Sequence, residues 1–400
     1  MRQPEGEPGR SAVVGTTERD PVHQNIRLDD WTLGVVDHPE FQRLRRIQQL
    51  GTAHLVYPGA HHKRFEHSLG AYHLAGRLAE ALGLDDAEAR TVRAAALVHD
   101  VGHGPFSHAF EELLVGRRHE ESTVDLVRWG PLGDLLRQGD IDPVAVSELV
   151  MGQGPLANLV SGAVDADRMD YLLRDAHHTG VPTSVDPDRL MRVLQRGEDG
   201  ALLRESGILS AESLLTMRFL MYPAVYLHHT VRASERMLQA AIEAAVQDGA
   251  FRLRDVERDT DDSLLWKLRQ AGGTAAELLG RLDRRRLHKR AWETRPAEHD
   301  GDRVAALATD KAEAPKAQQE IADAAGVDAH EVLVDAPRQP RFKELDLQVL
   351  RRDGTIVPIT EASRLVHALD AARMDHWRFW VFAPRRHLDA VGAAAKKVLG

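Results

Sequence analysis

Three histidines and one aspartate lie within a ten-residue segment of this chain, residues 99–108, which reads HDVGHGPFSH. A neutral histidine offers a nitrogen ligand or a proton relay, and an aspartate offers a hard oxygen ligand. His99 and Asp100 are adjacent, and adjacent residues of a helix do not share a face. Where a helix ends, however, both side chains can turn toward one ion. The segment therefore predicts part of a metal site that other elements must complete.

Candidate ligands outside this segment are His67, at the start of a predicted helix, and the pair Asp165 and Asp167 in another. Together with His99 and Asp100, His67 and one of these two aspartates would supply two nitrogen and two oxygen ligands. We predict one divalent ion (Fe, Mn, Co, Ni, Zn or Mg), whose identity the sequence leaves open. Four protein ligands leave positions for water and substrate oxygen. The residue types alone do not decide between the two aspartates.

Two predicted helices each carry a polar and aromatic face beside these ligands. The first face holds Asp167, Tyr171, Arg174, Asp175 and His178. The second face holds Arg218, Tyr222, Tyr226 and His229. Their spacing follows the helical repeat, and the mixture of charge and rings is typical of a site wall. Because a triphosphate requires guanidinium donors in a fork geometry, we predict phosphate contacts from Arg64, Arg168 and Arg218.

The overall composition narrows the class of protein. The net charge is −9, from 52 basic and 61 acidic residues, which argues against nucleic-acid binding along the whole chain. The chain has no cysteine, which excludes disulfides and thiolate metal sites. We find no apolar run of transmembrane length and no secretory signal, and we predict a cytoplasmic protein without membrane contact.

The elements that position these residues are mostly helical. Aromatic residues make up only 5% of the chain, so the core must be built from Leu, Val and Ala, which favours helices. Single long helices are predicted near 156–178 and 211–247. Alternating apolar residues after residue 330 predict strands and a small lobe. We predict a mainly α fold, divided into a disordered tail (1–20), a helical catalytic core (21–250), a helical extension and linker (251–318) and an α+β lobe (319–400).

Several of these motifs, read together, resemble the HD-domain phosphohydrolases, in particular the deoxynucleoside triphosphate triphosphohydrolase branch. The resemblance covers roughly residues 20–240 and is carried by segments 20–23 (DPVH), 41–45 (FQRLR), 64–70 (RFEHSLG), 99–108, 119–120 (HE) and 165–180. It implies an all-helical HD-domain core. It also implies that the metal ligands are His67, His99, Asp100 and Asp167, favouring Asp167 over Asp165.

Further roles follow from the same resemblance. His119, assisted by Glu120, is implied as the proton donor, and His103 and His108 as additional acid–base or phosphate contacts. Sugar or base contacts are implied for Gln49, Leu50, Tyr171, Asp175 and Tyr226. Tyr222 stands where the resemblance leads us to expect histidine. An activating guanine nucleotide is recognised in that branch at positions that match Asp37, Gln42 and Arg45.

The function that follows is metal-dependent hydrolysis of (deoxy)nucleoside triphosphates to nucleoside and tripolyphosphate. One alternative is a phosphatase that removes orthophosphate stepwise from nucleotides or their analogues. An alternative of another class is a nucleotide-sensing or nucleic-acid-binding module. The expected partners are a nucleotide substrate, an allosteric nucleotide and further copies of the chain in a homo-oligomer.

Overall fold

The structure is a computed structural model that describes residues 16–114, 117–198, 200–296, 302–310, 312–339 and 343–400. Of the predicted tail, residues 1–15 lie outside this range. Residues 16–20 do not belong to a disordered tail, because they form a strand that pairs antiparallel with residues 24–28. No helix within the described residues has both the length and the apolar character needed to cross a membrane.

The described part of the chain is mainly α-helical, with short strands concentrated toward the C-terminus, which confirms the predicted fold class. The helices are α1 (Asp30–Val36), α2 (Pro39–Gln42), α3 (Arg64–Ala81), α4 (Asp86–Val98), α5 (His108–Glu111), α6 (His119–Val124), α7 (Pro131–Gln138), α8 (Pro143–Val150), α9 (Asn158–Ser161), α10 (Ala166–Thr179), α11 (Pro187–Arg192), α12 (Ile208–Met221), α13 (His229–Gln247), α14 (Asp261–Ala271), α15 (Gly273–Asp283), α16 (Asp302–Thr309), α17 (Glu313–Ala325), α18 (Ile359–Ala362), α19 (Arg364–Ala372) and α20 (Leu388–Leu399). The strands are β1 (Thr16–Asp20), β2 (Gln24–Leu28), β3 (Leu194–Gly197), β4 (Gly200–Arg204), β5 (Lys289–Thr294), β6 (Leu333–Asp335), β7 (Gln348–Leu350), β8 (Ile356–Pro358) and β9 (Phe379–Ala383).

The centre of the main core is α3, which packs against both α4 and α10. Its side chains are buried along nearly the whole length of the helix. The start of α4 is fixed by a capping box, in which Asp85 accepts hydrogen bonds from the backbone N–H groups of Ala87 and Glu88. Asp165 caps α10 by accepting from the N–H of Arg168 at 2.6 Å. These caps fix where each helix begins, and with it the direction of the residues in its first turn.

Two predicted helices are interrupted. The segment 156–178 contains α9 and α10, separated by a non-helical stretch that ends at the cap Asp165. The segment 211–247 contains α12 and α13, joined by a π-helical turn, Tyr222–Tyr226. Because Pro223 has no N–H, it cannot continue the regular hydrogen-bond ladder. Both interruptions lie beside predicted site residues, so they determine which side chains face the site.

The strands join segments from both sides of the predicted domain boundaries. In one sheet the order is β3-β4-β7-β8, with Leu203 of β4 paired in parallel to Val349 of β7. A second sheet has the order β5-β9-β6, so β5, from the predicted linker region, pairs with the C-terminal β9. Residues 302–309 and 313–325 form helices, although the sequence predicts a linker up to residue 318. The domain division therefore stays a prediction.

Candidate active site

The four predicted metal ligands come together at the ends of three helices. His67 lies in the first turn of α3, His99 and Asp100 follow α4, and Asp167 lies in the first turn of α10. The Nε2 atom of His67 is 3.2 Å from both His99 Nε2 and Asp167 Oδ1, and 3.5 Å from Asp100 Oδ2. Such separations are expected of atoms that share one ion at about 2.1 Å. Asp165 is instead the N-cap of α10, where its carboxylate accepts from the backbone N–H of Arg168.

The two histidines are oriented by groups behind them. His67 Nδ1 is 2.8 Å from Asp170 Oδ2, and His99 Nδ1 is 2.8 Å from the carbonyl oxygen of Ala96. Both partners can only accept, so each Nδ1 carries the hydrogen and each Nε2 lone pair faces the cluster. The two lone pairs then face the carboxylates of Asp100 and Asp167, while Arg64 donates to Asp100. This donor set fits a divalent cation.

The electrostatics of the cluster agree with this assignment. Burial alone would lower the pKa of His67, but its hydrogen bonds to Asp167 and Asp170 and the charge of Asp100 outweigh burial and raise the pKa to about 10. The carboxylates around His67 therefore favour a positive charge at this position. Because the ion supplies that charge when bound, the ligands can remain deprotonated.

Close packing of α10 against α3 brings Asp170 within hydrogen-bond distance of His67. A Cβ atom at Gly70 would lie 1.8 Å from Asp170 Oδ1, so only glycine lets α10 approach α3 this closely. Asp170 is completely buried, where it binds Arg174 through two hydrogen bonds of 2.9 Å and His23 at 2.6 Å. Arg174 therefore points into the core toward Asp170, not into the predicted site wall. The sequence interpretation overlooked Asp170, although it lies one helical turn after Asp167.

A second polar group lies beside the metal ligands. His119 is held by Glu111, whose Oε1 atom is 3.2 Å from both the backbone nitrogen and Nδ1 of His119. His108 Nδ1 contacts the other oxygen of Glu111 at 3.0 Å. Burial would raise the pKa of Glu111, but hydrogen bonds to these two histidines hold it well below its usual range. Glu111 was not predicted to be a site residue. The only indication in the sequence is its position three residues after His108.

The remaining residues of the predicted acid–base set have distinct surroundings. His103 is buried and stacks on His119 with ring centroids 3.7 Å apart, while its Nε2 lies 3.3 Å from Asp100 Oδ1. Burial, with the nearby charges of Arg64 and His119, lowers the pKa of His103 well below its usual value. His108 is 68% exposed. Glu120 Oε2 is 3.5 Å from His119 Nδ1.

A cavity of about 460 Å³ opens beside the metal ligand Asp167. The structure brings all the predicted substrate-binding residues to its walls, namely Gln49, Leu50, Arg64, Arg168, Tyr171, Asp175, Arg218, Tyr222 and Tyr226. Arg64 donates to Asp100 and, at 2.6 Å, to Ser107 Oγ. Arg218 donates to the hydroxyl groups of Tyr171 and Tyr222. The guanidinium groups are thus fixed by the walls of the cavity.

The carboxylate of Asp175 is held from two sides. Tyr226 donates to Oδ2 at 2.8 Å, and His62 Nε2 is 2.8 Å from Oδ1. His62 is itself stacked on His178, with ring centroids 4.4 Å apart. His62 has no signal in the sequence, because its partner is far away along the chain. Its buried contact fixes the orientation of a residue predicted to bind the sugar or base.

The predicted allosteric residues are not among those that line this cavity. Asp37 is exposed just after α1. Gln42 donates to the carbonyl oxygen of Val36 at 2.8 Å and accepts from Arg45 Nε at 2.9 Å. The Arg45 guanidinium lies 3.5 Å from the ring centroid of Phe65. Binding of a nucleotide here stays a prediction.

Glu235 in the cavity wall gives a test of pH-dependent stability. Burial raises the pKa of Glu235 to about 7, against the opposing charge of Arg232. Between pH 4.5 and 7 the folded state therefore keeps a proton that the unfolded state releases, so stability falls as pH rises. We expect Glu235→Gln to reduce this decline by up to about 1.4 kcal/mol per pH unit. Urea unfolding at pH 5, 6, 7 and 8 measures the free energy of unfolding at each pH, and Glu243→Gln is the control. Equal slopes of this free energy against pH in the wild type and in Glu235→Gln would contradict the prediction.

The structure thus combines a mainly helical fold with a buried cluster of histidine and aspartate side chains that could hold a metal ion. The HD domain family model matches residues 64–136, and the HD associated region model matches residues 185–400. This chain belongs to the HD-domain family, whose members are metal-dependent phosphohydrolases.

Individual relatives agree with this classification. A protein of Methanocaldococcus jannaschii is 32% identical over 380 residues, covering 92% of this chain and 79% of that protein. The deoxynucleoside triphosphate triphosphohydrolase SAMHD1 homolog of Dictyostelium discoideum is 33% identical over 251 residues, covering 57% of this chain and 49% of its own length. The chain thus spans about half of that relative. The crystal structure of a phosphohydrolase from Bacteroides thetaiotaomicron superposes with a TM-score of 0.75 at 28% identity, covering 92% of this chain and 100% of that one.

Proposed function

We propose that this protein hydrolyses deoxynucleoside triphosphates to nucleoside and tripolyphosphate. The observation that carries the proposal is the cavity beside Asp167, whose walls combine Arg64, Arg168 and Arg218 with tyrosines and the carboxylate of Asp175. A triphosphate matches the arginines, and a sugar and base match the tyrosines and the carboxylate. The SAMHD1 homologs named as deoxynucleoside triphosphate triphosphohydrolases support this substrate class.

In the proposed mechanism, His67, His99, Asp100 and Asp167 hold the divalent ion. When bound, the ion supplies a Lewis acid and a water acidic enough to attack near neutral pH. Arg64, Arg168 and Arg218 neutralise the triphosphate. Water adds to the α-phosphorus and loses a proton, and the bond between that phosphorus and the 5′ oxygen breaks. The nucleoside 5′ oxygen is the leaving group, and all three phosphates stay together as tripolyphosphate.

The proton for the 5′ oxygen comes from His119 in this proposal. Glu111 accepts from His119 Nδ1, which leaves Nε2 on the opposite edge, 3.9 Å from Asp100 Oδ1 and thus toward the metal ligands. The negative charge of Glu111 stabilises the protonated imidazole. A Cβ atom at Gly102 would lie 2.2 Å from the carbonyl oxygen of His119, so glycine permits the approach of α6 to this site.

The product identifies the reaction. We expect phosphorus NMR to show tripolyphosphate as the first product when the metal-reconstituted protein meets each deoxynucleoside triphosphate, singly and in mixtures. Chelation with EDTA should reduce the rate by more than about a hundredfold, and divalent ion should restore it. Protein carried through the same dialysis without chelator is the control.

Other products would replace the proposal with a defined alternative. Orthophosphate released stepwise would identify a nucleotide phosphatase, and the absence of hydrolysis with every nucleotide would favour a nucleotide-sensing module. Activity that appears only in mixtures would support an activating nucleotide at Asp37, Gln42 and Arg45.

A further inference from the structure

One short segment of the associated region connects the loops that build the active site. We call residues 257–261 the brace. Glu257 Oε1 accepts from Ser122 Oγ at 2.6 Å, and the carbonyl oxygen of Asp259 accepts from Arg43 Nη1 at 3.2 Å. Arg43 also donates to the carbonyl oxygens of Val101 and His103, at 2.8 Å and 2.7 Å. The brace is therefore linked through Arg43 to the segment that carries the HD motif, although it lies outside the HD domain itself.

Asp261, the last residue of the brace, joins two loops of the site through one carboxylate. Its Oδ2 accepts from the backbone N–H of Gln48 at 2.7 Å, and its Oδ1 accepts from the backbone N–H of Phe106 at 2.6 Å. The residue is only 5% exposed. Gln49 and Leu50, which line the cavity, directly follow the first loop. A buried carboxylate with two backbone donors fixes the distance between the loops.

The second loop needs such support because its backbone is strained. Phe106 and Ser107 have φ values of 55° and 56°, which residues other than glycine rarely adopt. Ser107 Oγ donates to the carbonyl oxygen of Gln48 at 2.8 Å and accepts from Arg64 Nε at 2.6 Å. Arg64 also donates to Asp100, but its hydrogen bond to Ser107 depends on a conformation that Asp261 holds in place.

We propose that Asp261 is a positioning residue for triphosphate binding, acting through the Phe106–Ser107 backbone on Arg64 and through Gln48 on the cavity edge. The inference rests on the proposed function, because it takes the cavity as the triphosphate site. The metal histidines are oriented separately, by Asp170 and by the carbonyl oxygen of Ala96. Loss of Asp261 should therefore weaken substrate binding and leave metal binding intact.

The test uses Asp261→Asn in the full-length, metal-loaded protein. Asparagine keeps the shape but has one acceptor oxygen, so its amide N–H group would face one of the two backbone donors. The probe is the dATP analogue in which a methylene group replaces the 5′ oxygen, so that the bond broken in the proposed reaction cannot be hydrolysed. Binding is measured by calorimetry and metal content by mass spectrometry. We expect affinity to fall about tenfold or more with one metal ion retained per chain. The neighbouring Asp262→Asn is the matched control, because that side chain is 73% exposed.

A second variant separates positioning from loss of folding. Ser107→Gly removes the hydroxyl that anchors Arg64, but glycine readily adopts the positive φ, so the fold should be at least as stable. We expect this variant to lose affinity without any fall in Tm. If Asp261 acts through Ser107, the effects of the two substitutions should not add. The variant that carries both Asp261→Asn and Ser107→Gly should then bind the analogue almost as tightly as the single variant with the lower affinity.

Each outcome has a distinct meaning. Unchanged affinity in Asp261→Asn, fully additive losses in the double variant, or loss of the metal from Asp261→Asn would each overturn the positioning role. Analogue binding by the wild type without hydrolysis of any deoxynucleotide would overturn the proposed function, while weaker binding by Asp261→Asn would still support this inference. A wild type that binds no analogue would overturn both.

Discussion

Replacing His99 and Asp100 together by alanine is expected to abolish turnover and to remove the bound metal. The double variant deletes one nitrogen and one oxygen ligand and leaves only His67 and Asp167. It also leaves Arg64, which donates to Asp100, without its carboxylate partner. We expect kcat/KM to fall by more than about a thousandfold, because the ion supplies both the Lewis acid and the acidic water. Steady-state kinetics and metal analysis on the same samples measure the effect.

Because the double variant removes buried polar groups, its folding must be judged separately. Asp167→Asn offers a milder change, since the Asp167 side chain is 28% exposed and asparagine preserves its volume. We expect this variant to keep its circular dichroism spectrum and to lose most of its metal. Asp165→Asn is the matched control for metal content, because asparagine is an equally good helix cap. A double alanine variant with full activity would show that the metal assignment is wrong.

The candidate metal ligands could be named from the sequence because they are local to helix ends. His67, His99, Asp100 and Asp167 each lie within one turn of a capped or broken helix, and such ends are visible as motifs. The structure brings the predicted substrate-binding residues to one cavity, since most of them repeat with the spacing of a helix face. What they bind stays a prediction.

Residues that act through distant contacts were not predictable in the same way. Asp261 meets Phe106 and Gln48 only after the chain has folded, and His62 meets Asp175 under the same condition. Arg174 shows the opposite failure, because its spacing is correct for the site face but its long side chain turns toward buried Asp170. Spacing gives the direction of a Cα–Cβ bond, whereas the tip of an arginine goes to the nearest charge.

The parallel pairing of β4 with β7 is another contact between distant parts of the chain that was not predictable from the sequence. It joins residues 200–204 to residues 348–350, so no turn or alternation near either strand specifies the partner. Parallel pairs require long connections, and their register is set by the packing of the whole domain. For this reason the sequence does not indicate that strands of the predicted C-terminal lobe pair with strands of the preceding region, as they do in the structure.

Replacing His119 by glutamine is expected to lower kcat by about a hundredfold or more while metal content stays unchanged. His119 Nδ1 is held by Glu111, and its Nε2 is the edge available to protonate the departing 5′ oxygen. Glutamine can still form hydrogen bonds but cannot transfer a proton near neutral pH. Glu111→Gln should give a smaller loss, because it removes the charge that stabilises the imidazolium but leaves the imidazole in place. Single-turnover rates measure both.

The nature of the leaving group distinguishes a proton donor from a residue that only orients the substrate. A nucleoside 5′ oxygen is strongly basic and needs a proton as the bond breaks, whereas 4-nitrophenolate does not. We therefore expect the loss in His119→Gln to shrink to less than about tenfold with 4-nitrophenyl triphosphate. His367→Gln, at an exposed position of α19, is the control for the substitution itself. An equal loss with both substrates would remove His119 from proton transfer and leave it an orienting contact, with His103 and His108 as the remaining candidates.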